Sequence, residues 1–426
     1  MEERVPYSAY RWLILTCACM SLISYTIDMI VYAPIFGEVA KDLNVHMASA
    51  INLAMAFAIA VAVSTVIGGI LVDKYGLTVV LVAGLLCASV PASLMPWIGH
   101  NYTAVFVSRL IQGLVAMAVA AIGPILALWF PQKEQGLAGG LMMCCLSLGP
   151  AIGVVASPAV LEAVGTWQRT VAILSIPGWL ALAMVLLFTR RRPSVEVVEA
   201  ITGSMRAPGA EAMTYGKIFS MPMTWIGTAV LFVNCWGLYG LYNLIPSYLA
   251  APTPIGVGVG PVMAGKLSLA LIAVGIPAFI VGGIFFDKVA RGNHKPAITV
   301  GFIVTGLFTY FLLSSTVYNN MLLLVACLMI AGWGMSFMAP SLSAFIAMNY
   351  PPRFVGTMMG WWFGFGTFGG ALGTYLAGLA TARAGNFYWA LTPISLASLL
   401  GLFLGLMLKA GRSSSPDGQP LYGDRG

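Results

Sequence analysis

The chain contains very little charge for its length. Only 8% of its 426 residues are Asp, Glu, Lys or Arg, while 59% are hydrophobic and the mean hydropathy is +0.91. Soluble domains carry about 25% charged residues. A soluble fold is therefore excluded. A nucleic-acid-binding domain is excluded as well, because the net charge of +7 is not carried by a basic face of a soluble domain. We expect a protein whose solvent is the lipid bilayer.

The residue types that enzymes and metal sites use are also scarce. None of the three His (46, 100 and 294) lies in a long apolar run, and neither a His-Glu-x-x-His motif nor a phosphate-binding Gly-Lys-Ser/Thr loop occurs. The seven Cys are odd in number and lack metal-ligand spacing. These absences predict a protein that is not an enzyme, binds no metal or cofactor, and does not use ATP.

Twelve apolar runs are long enough to cross the roughly 30 Å hydrocarbon core of a bilayer as helices. The sequence therefore predicts an all-α membrane protein with twelve transmembrane helices. The predicted spans are 11–33, 48–72, 77–98, 103–130, 136–160, 167–189, 222–249, 262–286, 296–316, 319–348, 354–381 and 386–409.

The basic residues predict the orientation. With the N-terminus inside, the cytoplasmic stretches hold 16 of the 21 Lys and Arg, the outer loops three and the spans two. Both termini are then cytoplasmic, in a prokaryotic-type inner (plasma) membrane, and we expect a monomer. Residues 190–221 are predicted to be a cytoplasmic linker between six-helix halves at 1–189 and 222–410, and 411–426 a disordered tail.

Two internal repeats support duplicated halves. Asp73 and Asp287, 214 residues apart, lie in the similar phrases Gly-Ile-Leu-Val-Asp-Lys (69–74) and Gly-Ile-Phe-Phe-Asp-Lys (283–288). Glycines that let helices approach closely recur at a constant offset of 220 residues. The matched glycines are 136, 140, 149 and 153 in the fifth span and 356, 360, 369 and 373 in the eleventh.

Three phrases resemble motifs of the major facilitator superfamily. They are Gly69-Ile-Leu-Val-Asp73-Lys74-Tyr-Gly76, Arg109-Leu-Ile-Gln112-Gly113 and the antiporter-like Gly149-Pro150-Ala-Ile-Gly153. Leu77 and Thr78 replace the usual basic pair after the first phrase, and Val154 replaces a glycine after the third. The resemblance implies a solute carrier of two six-helix pseudo-symmetric bundles that works by alternating access.

The repeated aspartates are candidate gating residues. A carboxylate is stabilised by the partial positive charge and free N–H groups of a helix N-terminus. We expect Asp73 to meet the eleventh span and Asp287 the fifth, with Lys74, Lys288, Gly149 and Pro150 also taking part in gating. The alternative is that each aspartate marks the membrane edge and is solvated.

Three charged residues lie within spans, and such residues are functional candidates because a charge in the membrane is unfavourable. Asp28 and Arg109 each lie about six residues, roughly 9 Å, from the predicted outer surface, so we expect them to pair and to couple transport to protons. Lys266 is a candidate for substrate binding. Alternatively, Arg109 is a structural tie and Lys266 extends to the interface.

Polar and aromatic residues at helical spacing are candidate cavity-lining residues. Ser21, Tyr25, Asp28 and Tyr32 share one face of the first span, and Trp236, Tyr239 and Asn243 share one face of the seventh. The predicted substrate-binding residues are Tyr25, Arg109, Gln112, Trp236, Tyr239, Asn243 and Lys266. The alternative for the aromatic residues is packing or a position at the membrane interface.

A cavity with Arg109, Lys266 and Asp28 would have a formal charge of +1, which favours a small anion. The sequence therefore predicts a proton-coupled secondary transporter for a small organic anion such as a carboxylate. The alternative is a drug or metabolite exporter that exchanges its substrate for protons, favoured by Gly149-Pro150 and the aromatic residues. A sensor or scaffold on the same fold is the remaining class.

Overall fold

A computed structural model describes residues 8–190 and 214–409. Within these ranges the chain is helical and contains no β-strand. Most of the predicted linker and the whole predicted tail lie outside the described residues.

Helices occupy every predicted span. In the first half they are α1 (Tyr10–Ile30), α2 (Phe36–Asp42), α3 (Met47–Tyr75), α4 (Leu77–Ser93), α5 (Met95–Ile98), α6 (Tyr102–Gly113), α7 (Met117–Ala120), α8 (Ile122–Trp129), α9 (Gln135–Val164), α10 (Trp167–Leu174) and α11 (Ile176–Phe188). In the second half they are α12 (Tyr215–Ser220), α13 (Pro222–Ala250), α14 (Pro261–Ile284), α15 (His294–Phe311), α16 (Ser315–Tyr318), α17 (Met321–Asn349), α18 (Pro352–Ala384) and α19 (Tyr388–Met407). Short 3₁₀ turns join some of them, and a π-helical turn, Phe285–Val289, follows α14.

Several predicted spans are broken into consecutive helices. The fourth span comprises α6, a 3₁₀ turn at Leu114–Ala116, α7 and α8. In the described part of the chain, nine helices or helical series are long and apolar enough to cross a membrane. The predicted spans 77–98, 296–316 and 354–381 are helical but are not among those nine. The all-α membrane architecture is thus confirmed.

The chain forms two compact units by contact density. Unit 1 comprises the described residues within 1–131, 145–200 and 350–364, and unit 2 comprises those within 132–144, 201–349 and 365–426. The two units therefore do not coincide with the two halves of the sequence. The first ten residues of α9, in the first half, belong to unit 2, and the start of α18, in the second half, belongs to unit 1. The predicted domain boundaries at 189 and 222 remain a prediction.

Glycines allow the helices of each unit to pack closely. In unit 2, a Cβ added to Gly282 would meet the backbone of Phe337, and one added to Gly301 would lie 2.8 Å from the carbonyl oxygen of Gly334. In unit 1, a Cβ on Gly113 would lie 2.6 Å from the carbonyl oxygen of Phe57. Small residues at crossing points are how helices associate in lipid, where the hydrophobic effect supplies no attraction between them.

One of the three histidines, which the sequence places in loops outside the apolar runs, is part of a helix. His294 is the first residue of α15 and is buried. Its Nε2 is 2.9 Å from the carbonyl oxygen of Leu408, and its ring packs edge-on against Phe345 at 4.6 Å. His294 therefore ties the start of α15 to the end of α19, a contact between distant residues that the sequence gives no sign of.

Candidate functional site

Arg109 lies at the centre of the candidate site in unit 1. The helix that carries it, α6, begins after Asn101, whose Oδ1 accepts hydrogen bonds from the backbone N–H groups of Thr103 and Ala104 at 2.8 and 3.2 Å. This cap satisfies donors at the helix start, as Asn does at N-cap positions. Two turns later, the Arg109 side chain is fully buried.

Aromatic rings and backbone oxygens surround the guanidinium of Arg109. Its central carbon lies 4.2 Å from the ring centroid of Phe57 and 4.5 Å from that of Tyr32. Its Nη1 donates to the Gln112 side-chain oxygen at 2.6 Å and to the carbonyl oxygen of Asp28 at 3.0 Å. Cation–π contacts strengthen when the cation is desolvated, so the two rings stabilise this buried charge.

The hydrogen bond from Arg109 to Asp28 also stabilises the end of α1. This helix ends at Ile30, so the carbonyl of Asp28 is in its last turn, where carbonyls lack helical donors. Pro34, a few residues further on, has no N–H to continue the helix. A cation near a helix C-terminus is favourable because of the helix dipole. Arg109 therefore contributes to structure as well as being a candidate for function.

The prediction that the side chains of Asp28 and Arg109 pair directly is wrong in this structure. Arg109 binds the backbone oxygen of Asp28, and among the described residues no ion pair joins the guanidinium to the Asp28 carboxylate. Asp28 is only 3% exposed. Four buried polar atoms here have no hydrogen-bond partner within the described residues: Asp28 Oδ2, the Tyr32 hydroxyl, Arg109 Nη2 and Gln112 Nε2. The Asp28 carboxylate and the Arg109 guanidinium do not pair because the rings of Phe57 and Tyr32 and the Asp28 carbonyl oxygen already surround the guanidinium.

Tyr25 and Gln112, both predicted to bind substrate, lie close to this cluster. Tyr25 is 5% exposed and stacks on Phe57, with ring centroids 6.3 Å apart and planes 11° apart. Gln112 is 1% exposed. Phe57 therefore lies against both Tyr25 and Arg109. Nothing in the sequence indicated Phe57, because its sequence context does not distinguish it from the other Phe residues in apolar spans.

The predicted aromatic residues of the seventh span pack on glycines of α18 in unit 2. A Cβ added to Gly373 would lie 2.8 Å from the Trp236 ring, and one added to Gly370 would meet the ring of Tyr239. Both aromatic side chains remain partly exposed. Asn243, two turns from Trp236, is exposed and donates to Thr374 Oγ1 at 3.2 Å. Gly373, one of the repeated glycines, thus supports the ring of Trp236, and Gly370, which is not part of the repeat, supports that of Tyr239.

Lys266 is exposed and lies in the second turn of α14. Its position near the helix end is consistent with the alternative that its ammonium group extends to the interface. Its role in substrate binding remains a prediction.

Asp73 lies near the end of α3 and contacts the beginning of α18 within unit 1. Its two carboxylate oxygens accept hydrogen bonds from the N–H of Gly356 at 2.9 Å and from the N–H and hydroxyl of Thr357, both at 2.6 Å. An added Cβ on Gly356 would lie 2.5 Å from the Asp73 carboxylate, so the contact requires glycine there.

Asp287 makes the matching contact within unit 2. Its carboxylate accepts from the N–H of Gly136 at 2.8 Å and of Leu137 at 2.7 Å, in the first turn of α9. Residues 136 and 137 are 220 residues before 356 and 357, so each repeated aspartate binds the repeated glycine of the other sequence half. Lys74 and Lys288 are exposed beside them. The gating role of these residues remains a prediction.

Gly149 and Pro150 lie within α9, where that helix crosses α1 in unit 1. An added Cβ on Gly149 would meet Thr26 Oγ1 and would lie 2.8 Å from the carbonyl oxygen of Ile23. Thr26 itself donates to the Leu22 carbonyl at 2.9 Å. The two helix backbones are therefore in close contact at Gly149.

We expect Gly149→Ala to lower the thermal stability of the purified protein, because overpacking of this kind costs about 1–3 kcal/mol. Thr26→Ala should restore only part of the loss, since the Ile23 carbonyl would still obstruct the new methyl group. The control is Gly378→Ala, because a Cβ at Gly378 would meet nothing within 4 Å. Equal melting temperatures for Gly149→Ala and Gly378→Ala would contradict the close crossing.

Comparison with known families agrees with this architecture. The family model described as Major Facilitator Superfamily matches residues 14–316 and 291–421. The chain belongs to the major facilitator superfamily. The human organic anion transporter MFSD10 (TETRAN) has a similar fold, with a TM-score of 0.71 over 93% of this chain and 99% of that one, at 15% identity.

The curated relatives of this superfamily member include proteins named for anions. The 4-hydroxybenzoate transporter PcaK of Pseudomonas aeruginosa is 24% identical over 437 residues, covering 95% of both chains. The probable anion transporter 3, chloroplastic, of Oryza sativa subsp. japonica is 25% identical over 348 residues, or 76% of this chain. The match spans 65% of the rice protein's length, and less of the next plant relatives.

Proposed function

We propose that this superfamily member is a proton-coupled secondary transporter for a small organic anion and works by alternating access. The observation that carries the proposal is the cluster around Arg109. Among the described residues it combines a buried cation, a buried carboxylate without an ion-pair partner, and polar atoms without a hydrogen-bond partner.

The proposed proton-binding group is the carboxylate of Asp28. A buried carboxylate without an ion-pair partner is unfavourable when charged, and binding a proton removes most of that penalty. The rings of Tyr32 and Phe57 already stabilise Arg109, so Asp28 is free to gain and lose a proton without leaving the guanidinium unsupported. This separation of roles differs from a simple ion pair, in which neutralising one partner leaves the other buried and unpaired.

The proposed anion contacts in unit 1 are Arg109 Nη2 and Gln112 Nε2, two donors without partners among the described residues. Guanidinium and amide donors suit a carboxylate. Considered by itself, unit 2 has Trp236 and Tyr239 as proposed substrate-binding residues, whose partly exposed rings would stack against an aromatic acid, together with the exposed amide of Asn243. The full-length relative named for 4-hydroxybenzoate, an aromatic carboxylate, supports this class of solute.

The alternative function is export of a drug or metabolite in exchange for protons, on the strength of the Gly149-Pro150 phrase and the aromatic residues. A ligand panel separates the two functions. We expect 4-hydroxybenzoate and related carboxylates to raise the melting temperature of the purified protein, since a ligand that binds the folded state stabilises it by mass action. Stabilisation by lipophilic cations and by no carboxylate would favour the exporter.

A second test concerns the two cationic side chains proposed to bind substrate, Arg109 and Lys266. We expect Arg109→Gln to weaken carboxylate binding more than Trp236→Phe or Tyr239→Phe, because it removes a buried charge-assisted donor. Lys266→Gln should have an effect that disappears as salt rises, since the exposed ammonium is screened. Calorimetric titration at low and high salt measures both. Unchanged affinity in Arg109→Gln would remove Arg109 from the binding site.

A further inference from the structure

An open apolar groove runs along the outside of unit 1 between α4 and α6. Its volume is about 1000 Å³. The walls are formed by side chains on one face of each helix, namely Leu86, Val90 and Leu94 on one side and Val107 and Ile111 on the other. Each of these five is between 38% and 47% exposed. The groove therefore opens to whatever surrounds the protein, which in the membrane is hydrocarbon.

Between these walls the groove is lined by small or short side chains, which we call its floor. On α6 the floor consists of Ala104 and Ser108, four residues apart, and on α4 of Cys87 and Pro91, also four apart. The Ser108 hydroxyl donates to the carbonyl of Val105 at 2.9 Å, so it presents no unsatisfied polar group to the groove. The floor is thus compatible with an apolar occupant.

The groove extends through only half of the membrane. The α6 residues that line it, 103–111, rise about 12 Å, close to one leaflet of a hydrocarbon core about 30 Å thick. Beyond Ile111 this series of helices is largely buried within unit 1, from Gln112 through Ala127. A spanning helix of another protein would need a groove of full membrane depth. The length therefore favours a lipid of one leaflet.

The end of the groove is suited to a headgroup. His100, Asn101 and Thr103 close it, and all three are exposed. Beside them the Trp97 side chain is 73% exposed. Trp is enriched where lipid headgroups meet the hydrocarbon, because the ring is apolar and its N–H is polar. The groove therefore matches a phospholipid along its length: an apolar trough for acyl chains and a polar end for the headgroup.

We infer that the groove between α4 and α6 holds a phospholipid of the leaflet that contains residues 94–101, the outer leaflet in the predicted orientation. The bound lipid packs against the outer face of α6. Arg109 projects from the opposite side of this helix to Val107 and Ile111, because two residues correspond to about 200° of rotation, so the bound lipid supports the position of the helix that carries Arg109.

The test uses native mass spectrometry of the purified full-length protein after detergent washing that removes loosely held lipid. We expect about one phospholipid per chain to remain. Ala104→Phe, which fills the floor, should lower that occupancy about tenfold or more. Val107→Trp, at an exposed wall position, should also lower it and tests the groove if Ala104→Phe fails to fold. The control is Ala397→Phe, at a half-buried alanine of α19.

Adding phospholipid back gives a second measurement. It should raise the melting temperature of the wild-type protein and of Ala397→Phe, and raise that of Ala104→Phe much less. The inference is overturned if the wild-type protein retains no lipid, or if the groove variants retain as much as the control. It is also overturned if the wild-type protein purifies as a dimer that Ala104→Phe converts to monomers, because a second copy would then fill the groove.

Discussion

Vesicles containing Asp28→Asn should bind the solute but fail to concentrate it when a pH gradient is imposed. Asparagine keeps the size of the side chain and cannot gain or lose a proton at this site. The backbone oxygen that Arg109 contacts at 3.0 Å is unchanged by the substitution, so the end of α1 and the guanidinium should keep their positions. Loss of accumulation with retained binding would therefore report coupling and not misfolding.

The measurement combines uptake driven by a pH gradient, exchange between equal solute concentrations, and equilibrium binding. Asp28→Asn should lose the first and retain most of the other two. The control is Glu38→Gln, an exposed acid near the same end of α1, which should behave as wild type. If Asp28→Asn vesicles still accumulate solute in response to the pH gradient, Asp28 is not the proton-binding residue.

Arg109→Ala should be more damaging than Asp28→Asn. It removes the donor at the end of α1, the contact with Gln112 and the cation between two aromatic rings. We therefore expect lower stability as well as lost transport. Arg109→Lys separates these effects, since it retains the charge but not the planar, forked donor geometry. A stable, fully active Arg109→Lys would show that only charge is needed.

The second large effect is expected from the pair Asp73→Asn and Asp287→Asn. Each variant should fold and bind solute, and each should slow transport turnover. Hydrogen bonds to charged groups contribute about 1.5–3 kcal/mol each, and Asp73 accepts three while Asp287 accepts two. An Asn side chain turns one –NH₂ group towards backbone donors, so at least one bond is lost. A single loss of this size corresponds to roughly tenfold or more in a rate.

The number of hydrogen bonds predicts that Asp73→Asn has the larger effect of the two. Thr357→Val should reproduce part of it, because it removes the side-chain bond at 2.6 Å and leaves both backbone N–H groups in place. Glu162→Gln, an exposed acid near the other end of α9, is the matched control. Wild-type turnover in both aspartate variants would reject a gating role, whatever their hydrogen bonds.

The sequence predicted most of the architecture because lipid imposes a strong constraint. Long apolar runs can only be helices there, and each predicted span coincides with one helix or a short helical series. Repeated glycines and aspartates at fixed offsets also indicated which helices contact each other. The contacts of Asp73 with Gly356 and of Asp287 with Gly136 follow that pattern.

The details of the Arg109 cluster were not predictable in the same way. Helical spacing indicates that Asp28 and Arg109 are at similar depth, but not whether a guanidinium binds a side-chain or a backbone oxygen. Phe57, which contacts both Arg109 and Tyr25, has no distinguishing sequence signal. The groove between α4 and α6 arises from small residues on two helices that face each other, and their registry is set only by packing.

The exchange of segments between the two units has a consequence for biosynthesis. The hydrogen bond from Gly356 to Asp73 cannot form until the ribosome has added Gly356, 283 residues after Asp73. A nascent chain that has completed the first six spans still lacks residues 350–364 of unit 1. At that stage Asp73, near the end of α3, therefore has no hydrogen bond from Gly356 or Thr357. Completion of the first unit is thus a late event in translation, and chains truncated before residue 350 should be recognised as unfinished by membrane proteases.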